Sequence, residues 1–500
     1  MSIDGVSGKT SHIGTTILNL RNQLNDLTTQ LATGKVSTTY AGQGTDRAFA
    51  IGLRAQVSSI DAYADTSTNV NTRINVANLA LQGLSDTGRQ VKSAATAATV
   101  ELNNNGQTSG QITAQAAFAN AVSLLNSQSG DRYLFSGRAT DTAATASSDV
   151  MLNGVGTQAG LKQLIDERRQ ADQGTGNMGR LAVSSPPATT TVTSLAEDGS
   201  SFGLKLGAIT SSLTGAAATQ AAGAPPTATV DLGAVNPNNG DRIKFDFNLP
   251  DGTTESIELT ATKTSPPPAG SFLIGVDTAA TTASLQASLT SSIQKLSDTS
   301  LVAASAIAAS DNFFNSSPPL RVNGPPFATA TGLIAGTSAN TVSWHTGETG
   351  SDPARGTAVA RIDQSITVQY GARANEQAFR HQLQNMAVYA AVTSNAANPN
   401  ASAQVSALAQ RVSANFAPQT GQQSIQDVQA EFAGAQTSIK ASTDRQTQLK
   451  TMAQTMLDSI EGINQDEVAT KILALQTSLQ ASYQTTSMLY QTSLLKYIPA

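Results

Sequence analysis

Two heptad-like apolar stripes lie at opposite ends of this 500-residue chain, and they constrain its fold more than any other feature of the sequence. A narrow stripe with steps of three and four residues lets a helix bury one seam against another helix. The termini are therefore predicted to meet as long, coiled-coil-like helices, which favours an assembly subunit over an enzyme. The N-terminal stripe comprises Ile17, Leu20, Leu24, Leu27 and Leu31, and the C-terminal stripe comprises Val468, Ile472, Leu475 and Leu479.

The composition indicates small contact surfaces between the helices and strands. Charged residues make up 13% of the chain and aromatic residues 4%, whereas charged residues usually make up about 25%. The length suggests roughly three to four domains at about 150 residues each. Such a chain suits long helices packed side by side better than one large globular core.

Several classes of protein are disfavoured by simple counts. The net charge is only −5 and the longest basic run is Arg168-Arg169, so the basic footprint of a nucleic-acid-binding protein is missing. No uninterrupted apolar run reaches about 18 residues, so no membrane insertion is expected. The first twelve residues lack the apolar segment of a cleaved signal peptide. The complete absence of cysteine excludes disulfides, thiol nucleophiles and cysteine metal sites.

Helical spacing dominates both ends of the chain. From about Thr15 to Ser129 the apolar period is that of a helix, with a stop at Gly34, since glycine tolerates the positive φ of a helix C-cap. A further stripe within this region comprises Val70, Ile74, Ala77, Leu81, Leu84, Gly88 and Val91. Helical spacing returns after Gly371 in four successive runs that lead to the C-terminal stripe.

The middle of the chain has a different character. An aromatic-rich strand is predicted between Gly130 and Gly137, and paired prolines interrupt residues 139–357, which excludes long helices and interior strand positions at those points. Alternation on both sides of Pro250-Asp251-Gly252 predicts a β-hairpin over residues 243–261. A short strand at residues 272–274 and an amphipathic helix follow, and strand signals return at residues 342–344 and 366–370.

Three local motifs resemble the bacterial flagellin superfamily. Gly34-Lys35, at the end of a leucine heptad, looks like the Ser/Thr-Gly-Lys signature of flagellin N-termini. Tyr133, Leu134 and Phe135, followed by Ser136 and Gly137, are similar to the Tyr-Leu-Phe-Ala/Ser-Gly strand of hook-filament junction proteins. The ending at residues 493–498 resembles the Ser-Leu-x-x-Tyr-Leu tail of those proteins. The resemblance covers about residues 10–140 and 340–498.

The resemblance implies a mainly α fold with a β-containing insert. In it, N- and C-terminal segments form an antiparallel long-helix rod, and small α+β domains face outward. The implied segments are an N-terminal inner-core helix at residues 1–45, the N-terminal part of a helical spoke domain at 46–139, an inserted outer region at 140–339, the C-terminal spoke part at 340–447 and a C-terminal inner-core helix at 448–500.

The function implied by the resemblance is that of a structural flagellar subunit that supports swimming motility. The subunit would be exported without a cleaved signal peptide through the flagellar type III apparatus, with an export chaperone, and would reside outside the cell. Its partners would be copies of itself and other axial proteins, namely flagellin and hook-associated proteins. Subunit packing is expected from both stripes together with Leu489 and Leu494.

Two alternatives to a junction protein stay open. Tyr370–Glu376 looks like a segment of some filament flagellins, and a non-flagellar helical adhesin or sensor would also show apolar stripes. Enzyme chemistry is not expected, since His12, His345 and His381 are too far apart for a ligand motif. No catalytic, cofactor-binding or metal-binding residue is therefore predicted.

Overall fold

The protein, described from a computed structural model, is about 53% helical and carries several small sheets. The description covers residues 4–97, 100–185, 190–418 and 420–495, with side chains from residue 12 to residue 491. The predicted mainly α class with a β-containing part is confirmed at this level. The helices are α1 (Asp4–Thr33), α2 (Arg47–Ala95), α3 (Ser109–Leu125), α4 (Ser148–Asn153), α5 (Leu161–Gln173), α6 (Thr278–Leu296), α7 (Val302–Asn315), α8 (Gln377–Ala391), α9 (Ala401–Asn415), α10 (Ile425–Glu461) and α11 (Gln465–Leu495).

The strands are short and form two sheets of four strands and three pairs. One sheet has the order β3-β4-β7-β6 and the other the order β10-β9-β8-β5, and the pairs are β1-β2, β11-β12 and β13-β14. The strands are β1 (Gln128–Ser129), β2 (Arg132–Tyr133), β3 (Leu181–Ser184), β4 (Val192–Glu197), β5 (Lys205–Ser211), β6 (Ala217–Ala221), β7 (Thr227–Asp231), β8 (Arg242–Asn248), β9 (Thr254–Thr262), β10 (Ser271–Leu273), β11 (Arg321–Val322), β12 (Leu333–Ile334), β13 (Val359–Arg361) and β14 (Thr367–Gln369).

The chain divides into two compact units. Unit 1 contains the residues up to Val70, Ala360–Val368 and the residues from Gln436 onward, and unit 2 contains Asn71–Val359 and Gln369–Ala435. The divisions fall inside α2 and α10, so these units cut across the five segments that the resemblance implies.

Unit 1 is built around the two terminal helices, α1 and α11, which contact each other. α1 ends at Thr33, and Gly34 follows with φ of +69°, as the predicted glycine stop requires. Between this point and α2, the residues Tyr40–Asp46 form 3-10 turns that are interrupted by a kink at Gly44, which has φ of +59°. The unit boundaries fall within β13 and β14: Val359 and Gln369 belong to unit 2, and the other residues of these strands belong to unit 1.

The helical part of unit 2 buries the stripe that the sequence predicts on α2. Ile74, Leu81, Leu84 and Val91 are each no more than 1% exposed. α3 packs against α8, and α7 contacts α5, α8 and α9. A capping box starts α3, in which the Thr108 side chain accepts from the Gln111 amide and the Gln111 side chain accepts from the Thr108 amide.

The β-rich part of unit 2 lies between Leu181 and Leu301. The predicted hairpin is present as β8 and β9, and residues 243, 245 and 247 alternate inward with at most 2% exposure. β10 and α6 follow as predicted, and Asp277 caps α6 by accepting from the Ala280 amide. One continuous core joins both four-stranded sheets to α6 through Leu195, Val230, Phe245, Leu259 and Leu289, among others.

Two strand predictions are wrong in extent. Between Gly130 and Gly137 only Arg132–Tyr133 forms a strand, and Ser136 makes a single bridge to Arg373. Tyr133 is half-buried and pairs with Gln128 in β1, whereas Phe135 is buried outside any strand. Residues 342–344 form no strand, and only isolated bridges at Thr341 and His345 mark this stretch. Trp344 is nevertheless a core residue with 4% exposure.

Candidate assembly surface

The two terminal stripes form the less exposed sides of α1 and α11. Ile17, Leu20, Leu24 and Leu27 are half-buried on α1. On α11 Ile472 and Leu475 are half-buried, and Val468 and Leu479 are each 6% exposed. Since α1 contacts α11, the predicted seams are used within one chain. Leu31, at the end of the N-terminal stripe, is 38% exposed.

Large apolar side chains also cover the outer sides of these helices. Leu18 is 59% exposed on α1, whereas Leu473 is 64%, Met488 66% and Tyr490 59% exposed on α11. Leu18 and Leu473 lie between stripe positions, whereas Met488 and Tyr490 lie beyond Leu479 and flank Leu489. All four stay largely exposed although α1 contacts α11, and large exposed apolar patches are candidate protein–protein contacts.

Further exposed apolar side chains in unit 1 lie on α10 and at the start of α2. Leu449, Met452 and Met456 follow the spacing of one face of α10 and are 38%, 59% and 43% exposed. On α2, Phe49 is 55% and Ile51 41% exposed. Methionine side chains adapt their shape to a partner surface, so the face of α10 is a second candidate contact surface.

Gly34 and Lys35 meet the turn between α10 and α11. Lys35 forms an antiparallel bridge with Gly462, the Val36 amide donates to the Glu461 carbonyl at 2.7 Å, and the Ile463 amide donates to the Gly34 carbonyl at 3.2 Å. The flagellin-like N-terminal motif therefore joins the end of the first helix to the start of the last helix.

Glu461 is the ionic centre of this joint. Its side chain, 5% exposed as a residue, accepts from Arg54 Nη2 at 2.5 Å and from Gln43 Nε2 at 3.0 Å, and Lys35 Nζ lies 3.9 Å away. The hydrogen bond from Arg54 lowers the pKa of the Glu461 carboxyl. The carboxylate is therefore held in its charged form at the point where α1, α2, α10 and α11 are tied together.

The junction-like motif has a structural place in unit 2. Phe135 is fully buried and meets the Phe379 ring edge to face at 5.7 Å between centroids. The Gly137 amide donates to the Ala372 carbonyl at 3.0 Å, and the Ala374 amide donates to the Phe135 carbonyl at 2.7 Å. Tyr133 ends the short strand β2, and Leu134, half-buried, donates its amide to Ser127.

The segment that receives this motif, residues 370–376, is fixed by Arg355. Its guanidinium donates to the Gly371 carbonyl at 2.6 Å, pairs with Glu376, and lies 2.8 Å from Glu431. It also lies over the Phe432 ring at 4.7 Å from the centroid. Two sequence segments that separately resemble flagellar proteins, residues 133–137 and 370–376, thus form one hydrogen-bonded structure.

The remaining predicted packing residues differ in placement. Leu489 is 38% exposed on the outer part of α11. The Leu494 side chain and the tail residues 496–498 lie outside the described residues. The sequence pattern does not single out Leu473, Met488 or Glu461. A signal was available for two of them, since Leu473 is a large apolar residue between stripe positions and Met488 is one beside the predicted packing residue Leu489, whereas no local signal marks Glu461.

Few residues in the described part of the chain could form another kind of site. There, no group of three or more His, Asp and Glu side chains could hold a metal ion. None of the described helices is long and apolar enough to cross a membrane. His345 and His381 are each half-buried and lie apart in the sequence, and partial burial lowers the pKa of each imidazole. Comparison with protein-family models and with curated proteins finds no match for this chain.

Proposed function

We propose that this protein is a structural subunit of the bacterial flagellum that assembles through unit 1. The proposal rests on the motifs that resemble the flagellin superfamily, and the hook-filament junction is its leading place because of the motif at residues 133–137. As such a subunit it has no catalytic role, is exported by the flagellar type III apparatus with its chaperone, and works outside the cell. Its partners are further copies and the neighbouring axial proteins.

The observation that carries the assembly mechanism is the uneven burial of apolar side chains. Most of the exposed large hydrophobic residues belong to unit 1, which contributes few buried ones, whereas unit 2 holds most of the buried core. A leucine side chain contributes roughly 1.5–3 kcal/mol when fully buried. Covering Leu18, Leu473 and Met488 in a neighbour's surface therefore supplies a driving force that the single chain leaves unused.

The test compares two leucines two residues apart on α11. Leu473→Asp changes a side chain that is 64% exposed, so it should leave the pairing of α1 with α11 intact and abolish assembly. Leu475→Asp changes a half-buried stripe residue, so it should lower both the helix content of the monomer and assembly. Leu79→Asp, at a leucine of unit 2 that is 74% exposed, is the matched control and should assemble normally.

Assembly is measured by recovery of each variant with sheared flagella and by sedimentation of polymer formed from purified protein. Circular dichroism of the same variants reports helix content. Normal flagella built with Leu473→Asp, in cells lacking the unmodified protein, would contradict assembly through this surface.

The filament flagellin is the second candidate, favoured by the resemblance of residues 370–376 to filament proteins. The copy number in purified flagella separates the two, because a junction protein forms a short ring and a flagellin occurs in thousands of copies. A deletion strain that keeps its hooks and sheds complete filaments would support the junction, and one that makes no filament protein at all would support the flagellin.

A further inference from the structure

Four Asn-Gly pairs occur in the chain, and their hydrogen bonding differs. In such a pair the glycine nitrogen can attack the side-chain amide carbon of the asparagine, because glycine has no Cβ to obstruct the close approach. The attack needs a glycine N–H that is free to lose its proton and an asparagine side chain that is free to turn toward it. All four asparagines are exposed, so exposure alone does not distinguish the pairs. They are Asn105-Gly106, Asn153-Gly154, Asn239-Gly240 and Asn323-Gly324.

Three of the four glycine N–H groups are held by backbone hydrogen bonds. A nitrogen in such a bond must be released by local opening of the fold before it can react. The Gly106 amide donates to the Asn103 carbonyl at 3.0 Å, the Gly154 amide to the Val150 carbonyl at 2.9 Å, and the Gly240 amide to the Ala261 carbonyl at 2.8 Å.

Two of these three pairs are also held at the asparagine. Asn153 Nδ2 donates to Asp149 Oδ1 at 2.7 Å, and Asn239 Oδ1 accepts from the Lys263 amide at 3.0 Å. The Asn105 side chain makes no such bond within the described structure. The pair at 105 is therefore restrained at its glycine only, whereas the pairs at 153 and 239 are restrained at both residues.

The pair Asn323-Gly324 has neither restraint. Both residues are exposed, and among the residues that the structure describes no hydrogen-bond partner exists for the Asn323 side chain or for the Gly324 N–H. The pair lies directly after β11, where the Asn323 amide donates to the Gly332 carbonyl at 3.2 Å. The main chain is therefore anchored before the pair, while both groups that would react stay free.

We propose that Asn323-Gly324 is a modification site at which the folded protein converts to aspartate and isoaspartate, with water as the co-reactant. The Gly324 nitrogen loses its proton to base and forms a bond to Asn323 Cγ, and the side-chain amide nitrogen takes up a proton and leaves as ammonia. Water then opens the cyclic succinimide, and no atom is oxidised or reduced. Cleavage of the bond from the nitrogen to Cγ gives aspartate, and cleavage of its bond to the main-chain carbonyl carbon gives isoaspartate.

Either product adds a negative charge to the exposed loop after β11. Isoaspartate also adds one carbon to the main chain between Val322, which is 5% exposed, and Phe327, which packs against the same small core cluster. The conversion therefore marks the age of a molecule and lengthens the link between two packed residues of unit 2. It requires no residue of unit 1, so this proposal and the proposed flagellar assembly can fail separately.

The test follows all four pairs in one sample of the full-length protein. The protein is incubated in heavy-oxygen water at mildly alkaline pH and then digested in ordinary water, so that only conversion during the incubation carries the label. Mass spectrometry measures the rate at each pair, and enzymatic methylation of isoaspartate measures the share of that product. The pair at 323 should react fastest, the pair at 105 about fivefold more slowly for one hydrogen bond of ordinary strength, and the pairs at 153 and 239 at least about tenfold more slowly.

Incubation in urea separates the effect of the fold from that of the sequence. Once the chain is unfolded, the protecting hydrogen bonds are lost and the four rates should become similar. Asn323→Gln places the amide carbon one bond further from the Gly324 nitrogen and should abolish labelling there, whereas Asn105→Gln, the matched control, should leave labelling at 323 unchanged. A folded-state rate at 323 no higher than at the other pairs, the same ranking in urea, or labelled aspartate without isoaspartate would each overturn the proposal.

Discussion

The buried ion pair between Arg411 and Asp251 should be a major stabilising contact of unit 2. Arg411 on α9 places Nε 2.8 Å from Asp251 Oδ2 in the turn between β8 and β9, and their side chains are only 9% and 2% exposed. Arg411 also reaches Glu255 at 3.2 Å and Thr253 Oγ1 at 3.3 Å. Asp251 in turn accepts from the Thr253 amide at 3.0 Å. The pair thus ties the hairpin to the helical part of the unit.

The expected magnitude follows from what each single change leaves behind. Removing one member of a buried pair costs about 3–5 kcal/mol, because the other charge stays buried without its partner. After Asp251→Asn, Glu255 still faces Arg411, so the loss should be near the lower limit, about 3 kcal/mol. Arg411→Met leaves the Asp251 carboxylate with only the Thr253 donors, and we expect a loss of about 3–4 kcal/mol.

The double variant measures the interaction between Arg411 and Asp251 apart from the loss of stability that each single change causes. With Asp251→Asn and Arg411→Met together, neither charge is left unpaired. The double variant should therefore be destabilised less than either single variant, with a coupling energy of about 3 kcal/mol or more.

Urea unfolding followed by tryptophan fluorescence measures these losses in the correct unit. The chain has a single tryptophan, Trp344, which belongs to unit 2, is 4% exposed, and donates Nε1 to the Phe314 carbonyl at 3.0 Å. Its emission therefore reports the unit that contains the pair. Single losses below about 1 kcal/mol, or single losses that simply add in the double variant, would refute the reasoning.

Three further predictions concern other described contacts. Glu461→Gln should lower the stability of unit 1 by about 1–2 kcal/mol at neutral pH, measured by circular dichroism. Because Arg54 lowers the pKa of Glu461, the difference in stability between the wild type and this variant should disappear as the pH falls below about 4.5. A difference that does not change with pH would contradict this. Burial lowers the pKa values of His345 and His381 below 6.5, so the unfolded chain binds protons first as the pH falls. The stability reported by Trp344 should therefore decrease as the pH drops below about 6.5. If a variant with both histidines replaced by glutamine shows the same decrease of stability with pH, these groups are not its cause. Gly137→Ala should cost about 2 kcal/mol or more, because Gly137 has φ of +65° and an added Cβ would lie 2.4 Å from Glu348 Oε2. Gly130→Ala, with φ of +67° and open space around the added Cβ, should cost only about 1 kcal/mol. Equal thermal midpoints for the two variants would show that the close contact is relieved.

Periodic burial explains which elements the sequence alone could predict. In α2, each helical turn from Ile74 to Val91 places an apolar residue on the buried face. In the hairpin, large apolar residues alternate with polar ones on both sides of the β-turn at residues 250–252. In both cases the residues that become buried are the most apolar ones available, so the pattern and the structure coincide. Gly34 was predictable as a helix stop for a similar local reason.

The missed strands lack this contrast. β7 buries Ala228 and Val230 between threonines, and β6 is Ala-Ala-Thr-Gln-Ala with no apolar alternation at all. Such sequences form strands because a neighbouring strand pairs with them, which is tertiary information. The opposite error occurred at residues 342–344, where apolar residues are buried as isolated side chains.

The candidate assembly surface was only partly predictable. Heptad spacing identifies the faces of α1 and α11 that become covered, but it does not say whether the same chain or a neighbour covers them. Leu473 and Met488 were missed since they lie outside the stripe. Glu461 could not have been found, because Gln43 and Arg54, which hold it, are 418 and 407 residues away in the sequence.

The meeting of α1 with α11 also fixes an order of events during synthesis. The Gln43–Glu461 contact closes 418 residues of chain, which a ribosome adds in roughly 20–80 s at about 5–20 residues per second. During that interval the first helix is present without the helix that covers its leucines, while most of unit 2 is being completed. The leucine face of α1 therefore stays without its native partner until α11 has been made, and in that interval it is open to aggregation or to a holding chaperone.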